Sequence, residues 1–80
     1  MPSDLLEGMR RNPAGDWRIE DVERLCRECG LSFRFGKGTS HTHIRHPTAR
    51  EILTIPARRP IKPVYIRKLV HYIDTYGGSR

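Results

Sequence analysis

Long hydrophobic runs are missing from this 80-residue chain. A membrane-spanning helix needs about 20 consecutive apolar residues, and no stretch of the sequence approaches that length. The opening Met1-Pro2-Ser3-Asp4 also lacks the features of a secretory signal peptide. These absences predict a cytoplasmic protein with no membrane partner.

The chain also has little material for a large core. Its 80 residues make one domain, and a domain of this size buries only about 60% of the surface that its unfolded chain exposes. A deep, enclosed active site is therefore not expected. A shallow site on the surface is compatible with this length.

Acidic residues are scarce beyond Phe33. Residues 1–33 contain five arginines and seven acidic residues, whereas residues 34–80 contain ten lysines and arginines and two acidic residues. The second part therefore supplies the positive charge behind the formal net value of +6. A field of this sign favours polyanions, nucleic acid first and acidic proteins second. The alternative is that the charge serves solubility alone.

Hydrophobic periodicity divides the chain into six predicted elements. The predicted helices are Asp4 to about Arg11, a segment that starts between Asp16 and Glu20 and ends at Cys29, and Val64–Tyr76. The predicted strands are Leu31–Phe35, the histidine segment before Pro47, and Glu51–Ile55. Gly30 is the expected C-cap of the second helix, and Pro63 suits the first turn of the third.

This order predicts an α+β fold, with two helices covering one face of a three-stranded antiparallel sheet and the other face open. Residues 1–15 are expected to form a helical appendage on a main domain of residues 16–80. Leu31, Phe33 and Phe35 are predicted to point inward. The inward face of the third strand stays ambiguous, because Ile52 and Leu53 are both apolar.

The cysteine and histidine spacing resembles that of a zinc finger, with Cys26 and Cys29 followed by His41 and His46. The context argues against zinc, because both cysteines fall on a predicted helix and glycines and a proline surround the histidines. The sequence therefore predicts no metal and no cofactor. Both cysteines are interpreted as small, reduced core residues.

Three of the four histidines lie in one short segment, residues 36–47. Read as a strand, this segment places His41, His43 and Arg45 on one face, and Thr42, Ile44 and His46 on the other. Ile44 is the apolar residue that marks the inward side. Two imidazoles and a guanidinium would then project outward together.

An imidazole can take a proton from an RNA 2′-hydroxyl near neutral pH, and this activates the hydroxyl against the adjacent phosphorus without a metal. His41 is the candidate for this role, and His43 is the candidate for protonating the leaving oxygen. Stabilisation of the extra charge on phosphorus would come from nearby donors. The candidates for binding RNA and its phosphates are Lys37, Gly38, Ser40, His43, Arg45 and Arg34. The alternative is an exposed strand that contacts phosphate, or only solvent, without catalysis.

A second basic cluster, Arg58, Arg59 and Lys62, lies in a connection stiffened by prolines. These side chains are candidates for contacting a nucleic-acid backbone or an acidic partner protein. A charge run in a loop is also compatible with simple solvation.

The order of elements around Gly38-Thr39-Ser40-His41, with Ile44 and then His46-Pro47 further on, resembles the HicA family of bacterial and archaeal toxins. The match spans about Arg18 to Tyr76. HicA proteins are mRNA interferases, so the resemblance implies a fold like the double-stranded RNA-binding domain, metal-independent cleavage of mRNA, and silencing by a HicB antitoxin. The family's essential histidine, which directly follows the serine, falls on His41. The family usually has glycine before Ser-His, whereas this chain has Thr39.

The sequence and the resemblance together predict an endoribonuclease toxin of a type II toxin–antitoxin system. Its expected partners are mRNA and a HicB-like antitoxin that covers the face around His41. The alternative is a binding module of the same fold that grips RNA or DNA without chemistry, and a weaker one is a zinc-dependent module.

Overall fold

A computed structural model describes residues 4–36, 41–57 and 60–77, and these residues contain three α-helices and three strands. The helices are α1 (Asp4–Arg11), α2 (Ile19–Cys29) and α3 (Pro63–Tyr72), and the strands are β1 (Ser32–Phe35), β2 (His41–Arg45) and β3 (Leu53–Pro56). A π-helical turn, Ile73–Gly77, continues α3. Among these described residues no helix is long and apolar enough to span a bilayer.

The strands form one antiparallel sheet in the order β1-β2-β3, which confirms the predicted α+β class. In the central strand, Thr42 and Ile44 are fully buried, whereas His41, His43 and Arg45 are exposed. This alternation is the one predicted from the period of two. The likeness to the double-stranded RNA-binding domain stays a prediction.

The core lies between the inner face of the sheet and the helices. Ile44 is paired with Phe33 on one side and with Leu53 on the other, so Leu53 points inward. Ile52 points away and keeps 56% of its surface exposed, which resolves the ambiguity of the third strand. The predicted apolar stripe of the last helix is buried in this core, namely Ile66, Leu69, Val70 and Ile73.

Phe35 lies on the inner side of the sheet as predicted, since it pairs with the buried Thr42, but 58% of its surface is exposed. Phe35 is the last residue of β1, and among the described strands β1 pairs with β2 alone and so lies at an edge. Its ring meets Phe33 edge-on, with centroids 5.4 Å apart and planes at 88°. This contact shields one part of the ring and leaves the remainder in solvent.

The helix boundaries follow from local signals. Gly30 adopts φ of 76° after α2, the left-handed conformation that glycine takes at a C-cap at low cost. Pro63 occupies the first turn of α3, where its missing N–H costs no hydrogen bond. The predicted helix to Tyr76 ends as α-helix at Tyr72, and the π-helical turn carries the chain onward.

The N-terminal helix is fastened to the last one. Met9 of α1 is fully buried in the core, and the Arg10 guanidinium donates to both carboxylate oxygens of Asp74, at 2.6 and 2.9 Å. The predicted division at residue 15 stays a prediction, but α1 contributes to the same core as the other elements.

The contact between Arg10 and Asp74 makes stability depend on pH. The hydrogen bond from Arg10 lowers the pKa of the Asp74 carboxyl from its ordinary value of 3.8. A carboxyl whose pKa is lower in the folded chain stabilises the fold above the unfolded pKa, and this contribution is lost as the pH falls through the folded value. Both side chains are about two-fifths exposed, at 41% and 42%. The contribution at neutral pH is therefore at most about 1 kcal/mol.

We expect Arg10→Ala to lower the free energy of unfolding by up to about 1 kcal/mol at neutral pH and by much less in strong acid. Urea denaturation at the two pH values measures the difference. Arg11→Ala is the matched control, because Arg11 shares the neighbour Glu7 with Arg10 but contacts it only at 4.0 Å. An equal loss in the two variants, or a loss from Arg10→Ala that persists in acid, would contradict the assignment.

Candidate functional site

The face of the sheet that points away from the helices carries the predicted site residues. We call it the open face and define it by six exposed residues from the three strands: Ser32, Arg34, His41, His43, Arg45 and Thr54. The strand register places Arg34 opposite His43, and His43 opposite Thr54. The structure thus brings together four of the predicted site residues, which are Arg34, His41, His43 and Arg45.

The spacing of these side chains follows from the sheet itself. Residues directly opposite in an antiparallel pair have Cβ atoms about 5 Å apart, and residues two apart on one strand are separated by about 7 Å. Arg34 therefore lies beside His43, and His41 and His43 are close enough for both rings to reach one phosphodiester group. Arg34 and Arg45 lie on the same face of the sheet, one on each of the paired strands β1 and β2.

His43 has a defined neighbour in the sheet. Its Nδ1 atom lies 3.4 Å from the Thr54 hydroxyl oxygen. When the hydroxyl donates to Nδ1, the imidazole proton is on Nε2. Thr54 thereby orients the ring and directs its second nitrogen away from β3. Sequence reasoning missed Thr54, because the inward face of the third strand was not resolved by the pattern alone.

Arg45 is held by the turn that follows β2. Its Nε atom donates to the carbonyl oxygen of Ala49 at 3.4 Å. Arginine has five donors in a planar fork, so this contact leaves the two terminal amino groups to bind an anion. The side chain is exposed, and its position on the open face makes it a direct candidate for a phosphate contact.

His41 is the first residue of β2 and is exposed. Its carbonyl oxygen accepts a hydrogen bond from the N–H of Gly36 at 2.8 Å. This bond joins the end of β1 to the start of β2 and fixes the backbone at His41. The predicted contributors between these two residues, Lys37, Gly38 and Ser40, lie outside the described residues, as does Thr39.

His46 is partly buried, and its side chain contacts other residues of the fold. Its Nδ1 accepts a hydrogen bond from the backbone N–H of Thr48 at 3.1 Å, and its ring stacks on Tyr76 with centroids 6.4 Å apart. The N–H of His46 donates to the Tyr72 hydroxyl at 3.1 Å, which in turn donates to the carbonyl of Glu51 at 2.8 Å. These bonds tie the end of β2 and the start of the β3 segment to α3.

The two cysteines belong to the other side of the molecule. Cys26 is fully buried in the core, and burial, followed by the nearby Cys29, raises the pKa of its thiol to about 12. Burial also raises the pKa of Cys29. Since the thiolate is the form that binds metal or attacks a disulfide, neither thiol is activated here. Within residues 4–36, 41–57 and 60–77, no three His, Cys, Asp or Glu side chains form a group that could hold a metal ion.

The second basic cluster is only partly described. Lys62 is exposed at the N-cap of α3, outside the strands that form the open face. Arg58 and Arg59 lie outside the described residues. Their predicted contacts with a backbone or an antitoxin stay predictions.

Comparisons with protein-family models, with curated proteins and with solved structures gave no match. The structure itself defines an α+β domain whose open face joins two exposed imidazoles to two guanidinium groups.

Proposed function

We propose that this chain is a metal-independent endoribonuclease, an mRNA interferase of the HicA kind that acts as the toxin of a type II toxin–antitoxin system. The observation that carries the proposal is the position of His41 on the open face, on the same strand as His43 and Arg45 and next to the edge of a basic patch. The resemblance around Ser40-His41 supports the same role for this imidazole.

In the proposed reaction, the His41 imidazole removes the proton from a ribose 2′-hydroxyl. The 2′-oxygen then attacks the adjacent phosphorus, the bond from phosphorus to the 5′-oxygen breaks, and a 2′,3′-cyclic phosphate forms. The departing 5′-oxygen takes a proton from a protonated His43, whose ring Thr54 orients. Both halves of this acid–base pair are imidazoles, which suits them to work near neutral pH.

The charges of the open face serve this reaction in two ways. Arg34 and Arg45 contact the phosphates of the bound strand, and a guanidinium can hold two oxygens of one phosphate. The same groups offset the negative charge that develops on phosphorus during attack. Lys37, Ser40 and the amide of Gly38 are proposed to add donors beside His41.

A HicB-like antitoxin is the proposed inhibitor. An acidic surface laid over the open face would cover His41 and neutralise Arg34 and Arg45 together. Arg58, Arg59 and Lys62 are proposed as further contacts with the antitoxin or with the RNA backbone.

The test is to incubate the purified protein with an mRNA transcript in excess EDTA, alongside single-stranded DNA of the same sequence. We expect the RNA to be cut into fragments that end in a 2′,3′-cyclic phosphate, and the DNA to stay intact because it lacks the attacking hydroxyl. RNA that is bound with salt-dependent affinity but stays whole would identify a non-catalytic binding module instead. Cleavage that EDTA abolishes would overturn the metal-independent mechanism.

A further inference from the structure

A groove of about 370 Å³ runs between β3 and the last helix. Leu53 lines it from the strand, and Val64, Arg67, Lys68 and His71 line it from α3. Because Leu53 faces the helix side of the sheet, the groove lies on the opposite side from His41 and His43. A molecule bound in it need not touch the open face.

The groove has an apolar floor that is partly open to solvent. Val64 keeps 45% of its surface exposed and is one of the large exposed hydrophobic residues in the described part of the chain. Leu53 is half-buried and lines the same groove. Covering Val64 and Leu53 would remove their exposed apolar surface from water, which favours binding.

The rim of the groove is cationic. Arg67 and Lys68 are exposed, and no carboxylate of the described residues lies within ion-pair distance of either. The Lys68 ammonium lies 5.8 Å from the centre of the Tyr65 ring. Glu51 also lines the groove, and its carboxylate accepts a hydrogen bond from the Tyr76 hydroxyl at 3.1 Å, so Arg67 and Lys68 outnumber this one carboxylate. The rim therefore complements a ligand with negative charge.

The aromatic residues of the groove argue against nucleic acid. Tyr76 is stacked on His46 and also lies 5.0 Å from Tyr72, so its ring is already occupied on these sides. Single-stranded RNA needs open aromatic faces for its bases, whereas aliphatic side chains need only an apolar floor. A second copy of this chain is also disfavoured, because a symmetric contact would bring the same cations face to face.

We propose that this groove binds an extended acidic segment of a partner protein that also carries aliphatic side chains. β3 is the last strand of the sheet, and no described strand pairs with its outer edge. An extended segment can add to such an edge through its backbone while its side chains settle in the adjoining pocket. Its aliphatic groups would pack on Leu53 and Val64, and its carboxylates would pair with Arg67 and Lys68. The proposal does not depend on cleavage of RNA by His41.

The test uses short synthetic peptides and the amide spectrum of the ¹⁵N-labelled protein. Four peptides share one length: one carries glutamate and valine, one replaces glutamate with lysine, one replaces it with glutamine, and one replaces valine with serine. We expect the first to bind saturably below about 1 mM and to shift the amides of Leu53, Val64, Arg67 and Lys68. The other three should bind at least about tenfold more weakly, because each lacks either the negative charge or the aliphatic side chains.

Matched variants locate the contact. Arg67→Glu and Lys68→Glu should each weaken binding of the acidic peptide by about tenfold or more. Arg24→Glu makes the same charge change on the exposed surface of α2 and should leave the affinity unchanged. An unaltered amide spectrum away from the substitution shows that each variant is folded.

Four results would overturn the proposal: equal binding of the acidic and lysine peptides, shifts confined to the open face, equal weakening by Arg24→Glu, or no binding up to about 1 mM. Two further measurements separate the other occupants. Oligouridylate that shifts the same groove amides would assign the groove to RNA. Concentration-dependent sedimentation that Arg67→Glu changes would assign it to a second copy of the chain.

Discussion

We expect the proposed RNA cleavage to fall by a factor of about 10²–10⁴ when His41 is replaced with alanine, which is the range that a lost general base typically costs. The variant removes the proton acceptor but keeps Arg34 and Arg45, so RNA affinity should change little. Stability should change little, because His41 is exposed and the substitution keeps the backbone carbonyl that accepts from Gly36. The measurement is the initial rate of cleavage of an mRNA transcript, with binding and urea denaturation recorded for the same preparation.

His71→Ala is the matched control for this experiment. His71 is also an exposed histidine, but it lies on α3 and lines the groove on the other side of the sheet. Its replacement should leave the cleavage rate unchanged. Full activity in His41→Ala, or an equal loss in His71→Ala, would remove His41 from the proposed chemistry.

The largest expected effect on stability comes from Ile44, which is fully buried at the centre of the sheet between Phe33 and Leu53. Ile44→Ala deletes three carbons from a packed site and should cost about 2–5 kcal/mol. This is a large share of the roughly 5–15 kcal/mol that stabilises a typical domain. Ile44 lies between His43 and Arg45 in β2. A variant in which this strand unfolds therefore also loses the arrangement of side chains on the open face.

Urea denaturation measures the change, and Ile44→Val provides the graded control. The shorter but still β-branched side chain should cost only about 0.5–1.5 kcal/mol. Near-equal stability of the alanine variant and the original chain would contradict the position of Ile44 in the core.

Much of this fold could be predicted from local patterns. The spacing of apolar residues located α2 and the buried stripe of α3, and Gly30 and Pro63 marked helix ends correctly. In β2, alternation around a single apolar residue was enough to assign His41 and His43 to the exposed side. These signals depend only on residues that are neighbours in the chain, so a single sequence is enough to detect them.

The errors and omissions concern features that depend on distant partners. The choice between Ile52 and Leu53 is decided by pairing with Ile44, and the exposure of Phe35 by its place on an edge strand. The contact of His43 with Thr54 requires the same pairing. No periodicity within one element could reveal these positions.

The groove between β3 and α3 was likewise invisible in the sequence, because its walls come from segments that meet only in the folded chain. The enzymatic role of His41, the HicA assignment and the antitoxin stay predictions, to be decided by the experiments above.

The bond between the N–H of His46 and the Tyr72 hydroxyl joins residues 26 positions apart. The hairpin of β2 and β3 closes a shorter loop than this bond does, so the hairpin can form first when the chain folds. In a chain that folds in this order, the hairpin is formed before the N–H of His46 is bonded to Tyr72. Formation of the last helix then supplies the Tyr72 hydroxyl that holds the end of β2 in place.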